Sequence, residues 1–155
     1  MWLSRSWTTR PRRKNEPEDA YEFVDRDRFL GNVERGGFFE HAAVVDGHLY
    51  GTPVPNPPPG KDVVLEIDVQ GAEQVLAQDP DAVVILVLAP SREAHEARLR
   101  GRGDDEAHVQ RRLEMAAEEE RVGRELAHHI VVNDDLERAV DEVAAILESR
   151  RQHRA

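Results

Sequence analysis

The chain has 155 residues, 34% of them charged and 39% apolar, which suits one compact domain with a real core and excludes wholesale disorder. Its 31 acids against 21 bases leave a formal charge of −10, which disfavours broad binding to a nucleic-acid polymer, and the absence of cysteine excludes disulfides, thiolate metal sites and cysteine nucleophiles. The start, Met1 to Trp7, lacks the apolar stretch of a secretory signal, and the longest apolar run, Ala82 to Ala89, is too short to span a membrane, so a cytoplasmic protein with no membrane partner is expected.

Residues 1–56 read as a small mixed lobe. Tyr21-Glu22-Phe23-Val24 is extended, a helix is expected from Asp25 to Arg35, and short apolar pieces follow at Phe38-Phe39 and Ala42 to Val45. Asp46-Gly47 is a hairpin-turn signal between the latter and His48-Leu49-Tyr50. The Pro-rich stretch Pro53 to Gly60 is excluded from helix and central strand and serves as a linker. Beyond it, three β-branched runs (Val63 to Asp68, Ala82 to Ala89 and Ile130 to Val132) predict parallel strands buried on both faces. Between and after them, helices are expected at Gly71 to Gln78, at Ser91 to Arg100 with Ser91 as N-cap, at Asp105 to Ala127, and from Asp134-Asp135 onward. The long helix should bury Val109, Leu113, Ala116, Ala117 and Leu126, and the last one Leu136, Ala139, Val140, Val143 and Leu147. Strand–helix alternation of this kind is an α/β sheet with right-handed crossovers.

Nineteen of the 21 bases are arginine, bunched at Arg5 to Lys14 and at Arg98 to Arg112. Guanidinium forks suit small phosphates and carboxylates. Arg98 and Arg102 lie four apart around a glycine, where like charges repel unless an anion is near. On spacing alone, gripping a polyphosphate and neutralisation by Asp104, Asp105 and Glu106 stand level. Glu66 and Asp68, at the end of a predicted strand, share one face by the two-residue period, so both can face a metal–phosphate or a base. A metal at His41 and His48 is disfavoured, His128-His129 reads as a helix terminus, and Trp2 and Trp7 read as packing residues.

Taken in order, several segments resemble the guanylate kinases over nearly the whole chain. They are Ser4-Arg5-Ser6-Trp7-Thr8-Thr9-Arg10 with Arg13, Tyr21-Glu22-Phe23-Val24, Phe39-Glu40-His41-Ala42, Tyr50-Gly51-Thr52, Glu66 to Gly71, Arg98 to Gly103, Arg112-Leu113 and Val132-Asn133-Asp134-Asp135. The resemblance implies a P-loop NTPase-like α/β fold in one domain over 1–155, with a GMP-binding lobe (1–56), a linker (57–61), a parallel core (62–100 and 115–155) and a lid (101–114). It implies ATP-dependent phosphorylation of GMP to GDP in purine metabolism, with GMP or dGMP and ATP as partners and Mg²⁺ bridging phosphates. By position, Ser6, Arg10, Arg13, Tyr21 and Tyr50 are implied for the GMP phosphate, and Glu40, Thr52 and Asp68 for the guanine. Arg98, Arg102 and Arg112 are implied for the ATP phosphates and the transferring group, Asn133 for the adenine side, and Glu66 as an acid near the metal.

The chain departs from that family in one large respect. No G-x-x-x-x-G-K-[ST] occurs in it, and Gly60-Lys61 is followed by Asp62, so the backbone cradle and lysine of a phosphate loop are lacking. The expectation is that the chain alone is inactive and poorly stable. A start placed downstream is favoured over true loss of the loop. The alternative function is a non-catalytic guanylate-kinase-like module that binds GMP or a protein.

Overall fold

The computed structural model describes residues 1–44, 47–102 and 105–154. Its backbone contacts divide the chain into two compact units, Met1–Ala82 and Val83–Ala155.

The first unit opens with β1 (Trp2–Leu3), which lies parallel to β6 (Val63–Val64) in the register Trp2 to Val63 and Leu3 to Val64. The remaining strands form a sheet in the order β3-β2-β5-β4, from β2 (Trp7–Thr8), β3 (Glu22–Phe23), β4 (Phe38–Ala43) and β5 (Leu49–Pro53). β4 and β5 are antiparallel, as the hairpin signal predicts; its Val45 and Asp46 lie outside the described residues. The two apolar pieces expected after Gly37 are therefore one continuous strand. Helix α1 (Arg26–Glu34) starts at Asp25, whose carboxylate accepts from the Arg28 N–H at 2.7 Å and so satisfies a free helix-end donor. Its Phe29 is fully buried and stacks on Phe38 at 4.5 Å. Trp7 packs edge-on against Phe38 at 5.4 Å, in the packing role expected of it.

The strand expected over Val63 to Asp68 is shorter than its apolar run. It ends at Val64, and Asp68 is already the N-cap of helix α2 (Val69–Gln78), accepting from the Gly71 N–H at 2.9 Å. Glu66 and Asp68 thus do not share a strand face: the backbone turns from strand to cap between them.

In the second unit, β7 (Ile85–Leu88) and β8 (His129–Val132) pair in parallel, Ile85 opposite His129 through Leu88 opposite Val132. Three helices accompany them: α3 (Arg92–Gly101), capped by Ser91; α4 (Glu106–Leu126), capped by Asp105; and α5 (Leu136–Arg154). Leu99, Val109 and Leu113 form a buried cluster between α3 and α4. The expectation of strands buried on both faces fails here. Val131 is fully buried, while Val87, its partner on the same face of the pair, and Ile130 and Val132, on the other face, are exposed: among the described residues neither face of this two-stranded pair is covered along its length. On α5, Ala139 is buried as expected but Leu136 and Val140 are exposed at 68% and 57%; the helix seats a narrower stripe than its apolar residues suggest. His128 does not simply end a helix: its Nδ1 accepts from the Val84 N–H at 3.1 Å, tying the end of α4 to the start of the strand pair.

Candidate functional site

The first unit gathers one group of polar side chains on its sheet. β2 and β5 lie side by side with Trp7 opposite Gly51 and Thr8 opposite Tyr50, and Thr52 lies opposite Glu40 across β5 and β4. Ser6 Oγ is 3.2 Å from Thr52 Oγ1, and the Thr52 N–H donates to Glu40 Oε1 at 2.8 Å. Thr52 and Glu40 are buried, at 0% and 5% exposure, which is a costly position for a carboxylate. Burial pushes the Glu40 carboxyl above the ordinary carboxylate range, with the negative charge of Asp68 adding to it, against the Thr52 N–H and hydroxyl, which favour the anion. The second carboxylate, Asp68, is half-buried at the N-terminus of α2. Gly71 makes their approach possible: a Cβ there would stand 2.6 Å from Glu40 Oε2.

Beside these lies a cationic and phenolic cluster. Arg10 donates from Nε to the Tyr50 hydroxyl at 3.0 Å, and its guanidinium carbon lies 5.6 Å from the Tyr21 ring centre. The Tyr21 and Tyr50 rings meet edge-on at 5.9 Å. Burial, and then the negative charge of Glu66, hold the Tyr21 phenol above its usual range, so it stays a neutral donor. Arg5 supports the segment by donating to the Tyr21 and Glu18 carbonyls at 2.8 and 3.0 Å.

Two residues of these groups received no role from the sequence. Glu16 accepts from both terminal nitrogens of Arg10, at 3.0 and 2.7 Å, and from the Arg13 N–H at 3.0 Å. The pair is nearly dry, with side-chain exposures of 10% and 14%. The Arg10 hydrogen bonds hold the Glu16 carboxyl below the ordinary range, and Glu16 in turn holds the Arg10 guanidinium charged. With a further bond from Nη1 to the Pro11 carbonyl, four of the five Arg10 donors are engaged. A visible signal was there: Glu16 is the first acid of the chain, set within its first basic cluster. The second residue is Gly71, quoted in a motif but not as a space requirement.

In the second unit, Arg98 donates to the Asn133 carbonyl at 2.7 Å, and the Asn133 N–H donates to Leu88 at 2.8 Å, so the end of α3 is joined to the turn after β8. Arg102 is the C-cap of α3. Arg112, half-buried on α4, is 3.9 Å from Glu119. All three arginines surround His95, whose imidazole is pushed down first by burial and then by Arg112, Arg102 and Arg98. The acids that were candidates to neutralise them are otherwise engaged. Asp105 accepts from His108 N–H at 2.8 Å as a cap, and Glu106 pairs with Arg100 at 2.9 Å, which takes its carboxyl down to about 2. Asp104 and Gly103, at the centre of the expected lid, lie outside the described residues. Among the described residues Arg98 and Arg102 have no carboxylate partner.

The first unit thus sets the Arg10 guanidinium against two phenols and places one buried carboxylate under the charge of a second, and the second unit holds two arginines without a carboxylate partner among the described residues. No cluster of metal-binding side chains was found among the described residues.

Comparison with known proteins points to one family. The family model for guanylate kinase matches residues 3–150. A guanylate kinase of Alcanivorax borkumensis is 48% identical over 160 residues, covering 96% of this chain and 74% of that protein. One of Thermus thermophilus is 46% identical, covering 98% of this chain and 71% of that protein. The crystal structure of guanylate kinase from Anaplasma phagocytophilum matches with a TM-score of 0.76 at 34% identity, over 96% of this chain and 75% of that one.

Proposed function

The chain belongs to the guanylate kinase family, whose members phosphorylate GMP to GDP, and we propose how its own residues divide that reaction. Ser6, Arg10, Arg13, Tyr21 and Tyr50 hold the GMP phosphate. Guanidinium forks and neutral phenol and hydroxyl donors together match a dianion with several acceptor oxygens. Glu40 and Asp68, with Thr52, read the guanine: their carboxylates accept from its N1–H and 2-amino group. Adenine has an acceptor at N1 and no 2-amino group, so it would leave two carboxylates facing no donor, and AMP is rejected. The same contacts admit dGMP.

Arg98, Arg102 and Arg112 hold the ATP phosphates and offset the charge that spreads over the transferring group, with Asn133 on the adenine side. Phosphoryl transfer needs little covalent help from a protein, so positioning and neutralisation are the whole contribution of these side chains. Mg²⁺ would supply positive charge that offsets the charge of the phosphates. Glu66, exposed just before the cap of α2, is the carboxylate we assign beside a hydrated ion. The 155 residues contain no G-x-x-x-x-G-K-[ST], so the arginines are the phosphate-gripping groups they do supply. The GMP lobe over 1–56, the core and the lid over 101–114 follow the same division. Among the described residues no helix is long and apolar enough to cross a membrane, in keeping with purine nucleotide metabolism in the cytoplasm.

The observation that carries this reading is the buried Glu40 carboxylate, held by Thr52 within reach of Asp68 and beside the Arg10–Tyr50 cluster. It is tested by titrating the chain with GMP and AMP in a calorimeter and by following GDP formation from GMP, ATP and Mg²⁺. Tight binding of GMP alone, lost in Glu40→Gln, is expected. Equal binding of the two nucleotides refutes the assignment of the base readers.

A further inference from the structure

β4 is the last strand of its sheet, so one side of its backbone has no strand partner. Three glutamines of α2 face that side. Gln70 Nε2 donates to the Ala43 carbonyl at 3.4 Å, Gln74 Nε2 to the His41 carbonyl at 2.9 Å, and Gln78 Nε2 to the Phe39 carbonyl at 2.6 Å. Gln74 also accepts the His41 N–H at 3.2 Å, so its amide engages both groups of one residue, as a paired strand residue does. The periods nearly agree. Four residues of helix rise about 6.0 Å and two residues of strand about 6.8 Å, so side chains at every fourth helix position meet every second strand residue. Gln74 and Gln78 are steadied in turn by the carbonyls one turn back, at 3.3 and 3.2 Å.

The elements tied by this ladder carry the two acids of the base site. Glu40 lies between Phe39 and His41 on β4, and Asp68 caps α2 two residues before Gln70, whose Nε2 is also 3.4 Å from Asp68 Oδ2. We propose that Gln70, Gln74 and Gln78 set the spacing between Glu40 and Asp68, and that Gln74 is a positioning residue for recognition of the base's 2-amino group. This rests on the assignment of those acids as base readers. A helix held only by apolar contacts can slide along a strand by fractions of an ångström. A ladder of directional bonds to successive backbone groups cannot, and two carboxylates that share one donor pair need that fixity.

The test is calorimetric titration of the whole chain with GMP and with inosine monophosphate, which keeps N1–H and lacks the 2-amino group. Wild type, Gln74→Met and Gln78→Met are compared, each with its melting temperature. The wild-type preference for GMP is expected to shrink about three- to tenfold in Gln74→Met, chiefly through weaker GMP binding. Gln78→Met, the rung furthest from Asp68, should show a smaller change in the same direction, and it decides the matter if Gln74→Met does not fold. Variants that melt earlier yet keep the wild-type preference overturn the proposal and leave the glutamines a purely structural role. A wild-type chain that binds both nucleotides equally overturns the assignment of the base readers, and the proposal with it.

Discussion

Replacing Gly71 by alanine tests the base site with a single methyl group. The new Cβ would lie 2.6 Å from Glu40 Oε2, 3.1 Å from Glu40 Cδ and 3.1 Å from Ile67 Cβ. Ordinary contact begins near 3.4 Å, so the carboxylate must retreat by roughly 0.8 Å or α2 must move by the same amount. An exposed glutamate would turn aside at little cost. Glu40 is 5% exposed and its other oxygen holds the Thr52 N–H at 2.8 Å, so retreat stretches or breaks that bond. A hydrogen bond to a charged group is worth about 1.5–3 kcal/mol, whereas alanine in place of glycine within a helix returns up to about 1 kcal/mol. The expected net result is a loss of about 1 kcal/mol in stability, together with weaker GMP binding by about ten- to a hundredfold, because a carboxylate displaced by this much no longer meets the base donors. Urea denaturation and calorimetric titration with GMP measure the two effects on one sample. A variant that is more stable than wild type and binds GMP within twofold would refute the reasoning, since the clash would then have been absorbed without touching Glu40.

Glu40→Gln should leave stability unchanged or raise it at neutral pH, because the wild-type carboxyl is raised by burial and its ionisation opposes folding above the ordinary carboxylate range; that opposition fades as pH falls through the raised value, and paired melting curves across pH read it. The same variant should bind GMP at least tenfold more weakly in calorimetry. Glu16→Gln has the opposite sign: the carboxyl lowered by Arg10 contributes stability above the ordinary carboxylate range that is lost as pH falls through the lowered value, so the variant should lose about 2 kcal/mol at neutral pH and show a flatter acid limb. Arg102→Ala, at an exposed cap with no carboxylate partner among the described residues, should fold within about 0.5 kcal/mol of wild type and bind GMP normally, while GDP formation in a coupled assay falls by about a hundredfold or more.

Local signals in the sequence translated well where the physics was local. Asp25, Ser91 and Asp105 cap helices α1, α3 and α4 because a short acceptor side chain before an amphipathic run satisfies free N–H groups without help from the rest of the chain. The hairpin of β4 and β5 was legible for the same reason. What failed depended on neighbours. The run Val63 to Asp68 reads as strand throughout, yet Asp68 is more useful to α2 as a cap, and the strand stops at Val64. Leu136 and Val140 carry the right spacing for burial, but no described element packs on them. In the candidate site, the residues we assign to phosphate and base come from motif order. Glu16 was not, because a carboxylate amid arginines reads equally as solvation. Only the bidentate distances and the low exposure of the pair separate the two.

The charge pattern, which argues against a nucleic-acid polymer yet leaves arginines suited to small phosphates, is resolved by the same kind of detail. A net charge of −10 should repel a nucleotide, and several of the arginines are taken up by acids of their own. Arg121 is taken by Glu118 and Glu125, Arg124 by Glu120, Arg138 by Asp134 and Glu142, and Arg100 by Glu96 and Glu106. These are exposed pairs at helical spacing or across a turn, each worth a few tenths of a kcal/mol, and they cancel at short range. Arg98 and Arg102 are left out of that pairing, and both stand with Arg112 around a histidine whose proton they disfavour. Arg10 is paired, but with a carboxylate that orients its fork beside two phenols rather than one that hides it in solvent. On the proposed assignment, Arg98 and Arg102 are groups that the described acids leave unmatched, whereas Arg10 is one that an acid orients. Over a Debye length of about 8 Å the remaining surface charge is screened, so a phosphate near these groups responds to them rather than to the total.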